Sequence, residues 1–216
     1  GIAYSPARIS TVRTIDDNLK QTAAFGESSY EVTDKLTLTA GARYFKYEKK
    51  IVGETTIGLD LIGARVTPPT TVSSKEDGWV FKFNASYEVN DDIMVYAQAA
   101  EGFRPGGANQ VIGLPGALTP YSSDSLVNYE IGAKTAWWNN RLTLNFDVYQ
   151  IDWDNMQVSG RTPNGAFSFI SNAGAARVRG AEIEAFLSPM QGLQFQANAS
   201  FSDAKLVEDQ INPDVN

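Results

Sequence analysis

A strict alternation of apolar and polar residues is the feature that most constrains this chain. Between positions 79 and 88, the odd positions carry Trp79, Phe81, Phe83, Ala85 and Tyr87, and the even positions carry mainly Lys82, Asn84, Ser86 and Glu88. Because successive side chains of a β-strand point to opposite faces, this segment has one apolar face and one polar face. The pattern recurs along the chain and predicts an all-β, antiparallel up-and-down meander, as a membrane-spanning barrel around a polar lumen requires.

The alternation predicts eight strands, over residues 21–32, 36–49, 78–88, 93–102, 126–138, 141–159, 176–187 and 193–206. Four turns that contain Asn, Asp or Gly join these strands in pairs, since such residues tolerate a positive φ and bond to their own backbone. The other connections include residues 51–77, 104–125 and 160–167, which we predict to be loops. Short turns at one end and long loops at the other are typical of an outer-membrane barrel.

Aromatic residues mark both ends of the predicted strands. Those beside the short turns are Tyr30, Tyr87, Trp137 and Trp138, and those at the opposite ends are Trp79 and Trp153. Amphipathic rings prefer the membrane interface, where one edge is apolar and the other wet, although they are also ordinary strand residues. The positions therefore favour two aromatic girdles.

The strand predicted over residues 141–159 changes its alternation after Tyr149. Leu142 to Val148 form the apolar set at even positions, whereas Ile151 and Trp153 form it at odd positions. Two interpretations fit this change. The strand contains a bulge, or it extends beyond a membrane.

The composition excludes several classes of function. The chain has no His and no Cys, which removes the usual general base, the commonest metal ligand and thiol chemistry and leaves carboxylates, Lys, Tyr or a Ser-Lys arrangement for catalysis. We expect no enzyme activity, no cofactor and no metal site. The net charge of −7 argues against a nucleic-acid partner. No apolar run is long enough to predict a transmembrane helix. Residues 1–20 show no signal peptide, which favours a fragment or a processed chain.

Several segments resemble the barrel of TonB-dependent outer-membrane receptors. They are Tyr30-Glu31-Val32-Thr33-Asp34-Lys35-Leu36, Glu101-Gly102-Phe103-Arg104-Pro105-Gly106-Gly107-Ala108-Asn109, Tyr129-Glu130-Ile131-Gly132-Ala133-Lys134 and Ser171-Asn172-Ala173-Gly174-Ala175-Ala176-Arg177-Val178-Arg179-Gly180. The last of these is the most specific. Each segment alone is a weak signal, but together they follow the order of the family over nearly the whole chain, from about residue 22 to residue 205.

The resemblance implies a larger barrel of about 22 strands, closed by an N-terminal plug that contacts the energy-coupling protein TonB. Residues 1–216 are then a single partial barrel domain that supplies eight strands, with the plug and the final strands absent. The implied function is TonB-coupled uptake of a scarce solute across the cell outer membrane. The implied solutes are a ferric siderophore, cobalamin, a saccharide or an aromatic compound, and the implied partners are outer-membrane lipid and TonB.

A Gly-rich segment after the fourth predicted strand is the candidate ligand site. Arg104, Asn109 and Gln110 are predicted to face an anionic ligand at the barrel mouth, because a guanidinium group suits carboxylate or phosphate through paired donors. The alternative is that Arg104-Pro105-Gly106-Gly107 is a strand exit that needs unusual φ values. Gly180 and the segment Asn172-Ala173-Gly174 are predicted to shape a bulge and to let neighbouring backbone approach closely.

Two other folds satisfy the same alternation. An eight-stranded segment is long enough to close into a small barrel by itself. A soluble β-sandwich that acts as a binding or adhesion module also needs strands with one apolar face, since that face then covers a protein core. A sandwich folds cooperatively without detergent, whereas a barrel depends on lipid or detergent.

Overall fold

The computed structural model describes residues 11–57, 65–111, 114–162, 165 and 167–208. Its strands are β1 (Thr11–Thr33), β2 (Leu36–Ile57), β3 (Arg65–Asn90), β4 (Ile93–Arg104), β5 (Gly107–Ala108), β6 (Pro120–Tyr121), β7 (Asp124–Trp137), β8 (Leu142–Asp154), β9 (Gln157–Arg161), β10 (Ser168–Asn172), β11 (Ala176–Met190) and β12 (Leu193–Leu206). One turn of 3-10 helix covers Gly116–Leu118. In these parts of the chain, no helix has the length and apolar content needed to cross a bilayer.

The eight long strands form one antiparallel sheet in the order β1-β2-β3-β4-β7-β8-β11-β12. The predicted meander is therefore confirmed. The short strands pair separately, β5 with β6 and β9 with β10. Because β1 and β12 are the two free edges, the sheet is an open arc and not a closed eight-stranded barrel. No second large sheet is present in the described ranges, so the sandwich alternative is not formed either.

The first hairpin arms are longer than the sequence predicts. Residues 11–20 belong to β1, and residues 51–57 and 65–77 extend β2 and β3, so the prediction of a loop over residues 51–77 is wrong. The pairing there runs through β-branched residues, with Ile51 opposite Val72 and Val52 opposite Thr71. β-branched residues favour strands by themselves, so a strand can form here without an alternation of apolar and polar residues in the sequence. Residues 1–10 and 58–64 lie outside the described ranges.

The predicted turns are confirmed by their backbone geometry. Asn139 and Asn140 have φ values of 56° and 63°, and Gly192 has a φ of 84°. These residue types accept the left-handed region at little steric cost. Trp138, which we predicted as a strand end, lies in the turn instead with a φ of 54°.

The two faces of the sheet differ in chemistry. On one face, here called the apolar face, the residues Phe201, Ala181, Val148, Ile131, Ala97, Ala85 and Leu38 lie opposite one another in successive strand pairs. The other, here called the polar face, carries Lys82, Gln98 and Glu130. Ile131 is 63% exposed and Phe201 is 69% exposed, so the apolar face is not covered by other parts of the chain.

The apolar face ends at a sharp boundary on the side of the long connections. On β12 the boundary lies between Phe201 and Asp203, and on β2 it lies between Tyr44 and Lys46. The row of cross-strand partners that starts at Phe201 on β12 ends on β2 at Leu38. Leu38 lies six residues before the boundary residue Tyr44. The boundary is therefore displaced by six residues over the six strand-to-strand steps from β12 to β2. At about 3.3 Å per residue along a strand and about 4.8 Å between neighbouring strands, this displacement corresponds to a strand tilt of about 35°. Such a tilt is typical of transmembrane barrels.

The change of alternation in β8 is an extension and not a bulge. The pairing of β8 with β7 and with β11 runs through Leu142–Asp154 without a shift in register. Gln150 and Asp152 therefore lie on the same face as Val148, past the polarity boundary. Their partners across the strand are Arg179, at 2.8 Å, and Arg177, at 2.5 Å. The hydrogen bond from Arg177 lowers the pKa of Asp152.

A matched pair of substitutions tests what surrounds the apolar face. Phe83 is 56% exposed on that face, and Asn84 lies next to it on the polar face, opposite Thr39 and Gln98. If lipid surrounds the apolar face, we expect Phe83→Arg to cost about 2–4 kcal/mol of unfolding free energy and Asn84→Arg to cost less than half of that. Urea unfolding of the complete protein in lipid vesicles measures both. Equal costs for the two variants contradict the assignment.

Candidate ligand-binding site at the loop end of the sheet

Two connections fold back over the polar face at the end of the sheet away from the tight turns. The first, here called loop A, covers residues 105–123 and contains β5, the 3-10 turn and β6. The second, here called loop B, covers residues 155–175 and contains β9 and β10. Under loop A, the β2 side chains Phe45, Tyr47 and Ile51 are only 4%, 1% and 4% exposed. This is the main buried apolar cluster of the described sheet.

An aromatic stack supports loop A from below. The rings of Phe45 and Phe103 are nearly parallel, with centroids 3.7 Å apart, and Tyr47 lies beside both. Phe45 lies over Gly78, where a Cβ would approach its ring to 3.1 Å. A larger residue at position 78 would displace the ring, so the glycine makes room for the stack.

Tyr47 links the stack to loop A through polar contacts. Its hydroxyl donates a hydrogen bond to the carboxylate of Glu76 and accepts one from the backbone N–H of Gly106, at 3.1 Å. The hydroxyl of Ser123 donates to the same carboxylate at 2.6 Å. Burial, followed by the hydrogen bond to Glu76, raises the pKa of Tyr47 to about 12. The tyrosine thus stays a neutral donor at physiological pH.

Arg104 lies at the junction where both loops begin. Its Nη2 is 2.5 Å from Oδ2 of Asp124, whose side chain is 1% exposed, and it also donates to the carbonyl of Gln157 at 3.1 Å. The backbone N–H of Gln157 donates to the same Asp124 oxygen at 3.0 Å. The guanidinium lies over the ring of Trp153, 5.3 Å from its centroid, so Trp153 faces Arg104 and is not part of an aromatic girdle.

Two asparagines connect loop A to loop B. The amide nitrogen of Asn109 donates to the carbonyls of Leu118 and Ile170, at 2.8 and 2.6 Å, and its oxygen accepts from the N–H of Ile170 at 2.7 Å. Asn172 bonds in the same way to both backbone groups of Ser122, at 2.7 and 3.0 Å, and to the carbonyl of Asn155 at 2.9 Å. Each asparagine side chain thereby satisfies backbone N–H and C=O groups in place of another backbone segment.

The three predicted ligand residues have different surroundings in the structure. Arg104 has a side chain that is 48% exposed, whereas Asn109 is 8% exposed and is bonded as described above. Gln110 accepts a hydrogen bond from Thr70 at 2.5 Å and packs against Gly53. All three lie within residues 104–110, where β4 ends and loop A begins. Their contact with a ligand stays a prediction.

The sequence analysis missed several residues that form hydrogen bonds at the base of the two loops, namely Tyr47, Glu76, Asp124 and Gln157. Tyr47 and Glu76 are 29 positions apart, and Arg104 and Gln157 are 53 positions apart. No local motif marks such pairs.

The predicted close approach is confirmed at Gly180, where a Cβ would lie 2.3 Å from the ring of Tyr149 and 2.7 Å from the carbonyl oxygen of Phe201. The predicted bulge is wrong, because the register of β11 with β8 and β12 does not shift at Gly180; Gly174 lies between β10 and β11 with a φ of 56°.

Below the loops, the polar face forms a charged wall. Lys82 pairs with Glu27 at 3.1 Å, and the hydroxyl of Tyr96 donates to Glu130 at 2.6 Å. The described part of this face thus carries charged groups of both signs. No cluster of three potential metal ligands occurs among the described residues.

A comparison with known families identifies the group to which this sheet belongs. The model described as "TonB dependent receptor-like, beta-barrel" matches residues 2–215. The chain belongs to the TonB-dependent receptor β-barrel family. This match confirms the resemblance to the family that the sequence segments indicate. The sheet is therefore an arc of a receptor barrel.

The receptor relatives are considerably longer than this chain. The ferric-pyoverdine M114 receptor PbuA of Pseudomonas sp. (strain M114) is 28% identical over 209 residues, which are 96% of this chain and 24% of that protein. The pesticin receptor of Yersinia pestis is 26% identical over 190 residues, or 87% of this chain and 26% of that protein. The chain thus spans about a quarter of the length of these relatives.

Solved receptor structures share the fold. The ferric yersiniabactin uptake receptor FyuA from Yersinia pestis superimposes with a TM-score of 0.75 at 22% identity, covering 93% of this chain and 29% of that chain. The ferripyoverdine receptor of Pseudomonas aeruginosa, solved with ferripyoverdine bound, gives a TM-score of 0.65 at 20% identity, covering 92% and 24%.

Asp124→Asn tests whether the Arg104 junction holds both loops. The change removes one charge of a pair whose acid is buried, and we expect a loss of about 1–3 kcal/mol in local opening free energy. Amide hydrogen exchange of residues 105–111 and 167–172 in the complete receptor measures it. Asp154→Asn is the matched control, since Asp154 is exposed at the end of the neighbouring strand. Faster exchange in neither loop contradicts the role of Asp124.

Tyr47→Phe isolates the titration of the buried hydroxyl. Because the pKa of Tyr47 is raised from 10.0 to about 12, its stabilising effect is full below pH 10 and is lost as the pH rises toward 12. We expect the tyrosinate absorbance of the native receptor, minus that of the variant, to show one group ionising near pH 12. A difference curve centred near pH 10 contradicts the buried position.

Proposed function

We propose that this chain is a wall segment of an outer-membrane receptor that takes up ferric siderophores with energy supplied through TonB. The observation that carries the proposal is the family match over residues 2–215, together with an apolar face that has no protein cover. In this proposal the apolar face contacts outer-membrane lipid, and the polar face lines the lumen. The loop end of the sheet then faces the cell exterior.

The relatives favour iron as the transported element. Receptors for ferric pyoverdine are among the similar sequences, and uptake receptors for ferric yersiniabactin and ferripyoverdine are among the similar folds. A ferric siderophore is bulky and polar, which suits a wide lumen with a charged wall. Cobalamin, a saccharide or an aromatic compound is the alternative cargo, and uptake measurements separate these classes.

Arg104 is the proposed ligand contact of this segment. Its guanidinium donates to Asp124 through Nε and Nη2, and the side chain remains 48% exposed. A carboxylate or hydroxamate oxygen of a siderophore is a suitable acceptor for the remaining donors. Asn109 and Gln110 act in this proposal by holding loop A in the conformation that presents Arg104.

The proposed mechanism is binding followed by a conformational change, without covalent chemistry. Loops A and B take part in capturing the ligand at the mouth. A plug elsewhere in the complete receptor then rearranges when TonB acts on it, and the ligand passes along the polar wall. The segment described here supplies the wall and part of the mouth.

An uptake assay in a strain that lacks its own siderophore receptors tests this function. Cells that express the complete receptor are given iron-55 as ferric pyoverdine-type or catecholate siderophore, with labelled cobalamin as the comparison. We expect saturable iron uptake that disappears when TonB is deleted. Uptake of cobalamin but of no ferric siderophore contradicts the proposal.

The double variant Arg104→Gln with Asp124→Asn tests the ligand contact. It removes both charges of the pair together, so that neither is left unpaired at the buried position while the ligand loses its cation. We expect the Kd of a carboxylate-bearing ferric siderophore to rise by about tenfold or more, as the loss of a charge-assisted hydrogen bond predicts. The control is Asp154→Asn, with unchanged Kd. An unchanged Kd in the double variant removes Arg104 from the site.

A further inference from the structure

One side chain of loop B reaches both ends of loop A. Gln157 begins β9, and its amide nitrogen donates to the carbonyls of Pro105 and Ser122, each at 3.0 Å, and more weakly to the carbonyl of Arg104 at 3.4 Å. Pro105 lies where loop A leaves β4, and Ser122 lies where loop A returns toward β7. The two N–H groups of one amide therefore hold the two ends of loop A together.

The peptide group between Pro105 and Gly106 is held from two sides. Its carbonyl oxygen accepts the hydrogen bond from Gln157, and its N–H donates to the hydroxyl of Tyr47 at 3.1 Å. Because Tyr47 belongs to β2, the main sheet fixes one side of this peptide group and loop B fixes the other. The proline ring also restricts φ at position 105, so the chain leaves Arg104 in one fixed direction.

The backbone of Gln157 fixes the other end of Arg104. Its carbonyl accepts from Nη2 of Arg104 at 3.1 Å, and its N–H donates at 3.0 Å to Oδ2 of Asp124, the oxygen that also accepts from Arg104. Nε and Nη2 are occupied in this way, whereas Nη1 donates to no group in the described part of the chain. Gln157 thus bonds to the main chain and to the guanidinium of Arg104 and leaves Nη1 as its free end.

The position of Gln157 depends on the whole of loop B. Met156 donates to the carbonyl of Gly174 at 3.2 Å and accepts from the N–H of Ala173 at 2.9 Å, which closes the neck of loop B next to Gln157. Asn172, the last residue of β10, donates at 3.0 Å to a loop A carbonyl that Gln157 also uses. A displacement of loop B therefore also displaces Gln157.

We propose that Gln157 is a positioning residue of the ligand site, and that it makes the ligand contact of Arg104 depend on the position of loop B. Gln157 does not touch the ligand itself. It holds the main chain and one edge of the guanidinium, so that Nη1 keeps one direction. A ligand that needs Arg104 then binds only while loop B is docked on loop A. The inference rests on the proposed function for the contact between Arg104 and the ligand, but not for the hold of Gln157 on Arg104.

Gln157→Met tests this hold without a ligand, because methionine has a similar length and no amide. The control is Gln150→Met, since Gln150 lies on β8 and its amide nitrogen donates to Asp152 at 2.9 Å. Phenylglyoxal condenses with the terminal nitrogens of a guanidinium, so its rate at Arg104, read by peptide mass spectrometry of the complete receptor in detergent, reports whether Nη2 is held. We expect a rate about fivefold higher in Gln157→Met, as the loss of one hydrogen bond predicts, and the native rate in Gln150→Met.

Ligand binding separates a positioning role from general support of loop A. The Kd of a ferric pyoverdine-type siderophore is measured for Gln157→Met in the native background and in the background of Arg104→Gln with Asp124→Asn. Because Gln157 acts through Arg104, we expect a Kd about fivefold higher in the first background and no further change in the second. Equal losses in the two backgrounds show that Gln157 supports loop A as a whole, and they overturn the proposal.

Two further outcomes are decisive. A native rate of modification at Arg104 in Gln157→Met also overturns the proposal. Faster modification in Gln157→Met, together with a siderophore Kd that the Arg104 and Asp124 changes leave unaltered, contradicts the ligand contact of the proposed function and not the hold of Gln157 on Arg104. The electrophoretic mobility of each variant without heating shows that the barrel is folded, so that unfolding is not mistaken for a loss of this hold.

Discussion

Backbone pairing between neighbouring strands is the interaction on which the rest of this structure depends. In a lipid environment an unpaired N–H or C=O group costs several kcal/mol, so a spanning segment has to satisfy all of them within a continuous sheet. The interior pairs β4–β7, β7–β8 and β8–β11 meet this requirement through their full length without a shift in register. The two free edges, β1 and β12, are where the rest of a receptor barrel would continue this pairing.

The unbroken register also keeps each residue on a fixed face of the sheet along the whole strand. Every second residue lies on the apolar face, and its chemistry changes from apolar to charged where the strand passes the polarity boundary. Beyond that boundary the loops fold back over the polar face and cover part of it. There the Phe45–Phe103 stack excludes water, and buried polar groups such as Asn109 and Asp124 bond to partners from both loops.

The sequence predicted the eight strands well because the two faces of the sheet differ in polarity, so that apolar and polar residues alternate with a period of two, as in residues 79–88. It failed over residues 51–57 and 65–77, where the sequence shows no alternation of apolar and polar residues and where Ile51 is buried under loop A instead. The candidate site was predictable only to the level of Arg104, Asn109 and Gln110 near one loop. Its partners are distant along the chain, since Asn109 bonds to Ile170 over 61 positions, and only the folded loops bring them together.

The environment of each residue along β8 is the most direct test of the account, because this strand crosses the boundary without a bulge. This chain has no Cys, so in a complete receptor that is freed of any other cysteines, single cysteines at successive positions of Leu142–Asp154 can each carry a spin label. The account predicts that labels at 144, 146 and 148 contact oxygen dissolved in lipid, that labels at 145 and 147 contact a water-soluble nickel chelate, and that all labels from 150 onward contact the chelate. Accessibility to the chelate at 146 and 148 would contradict it.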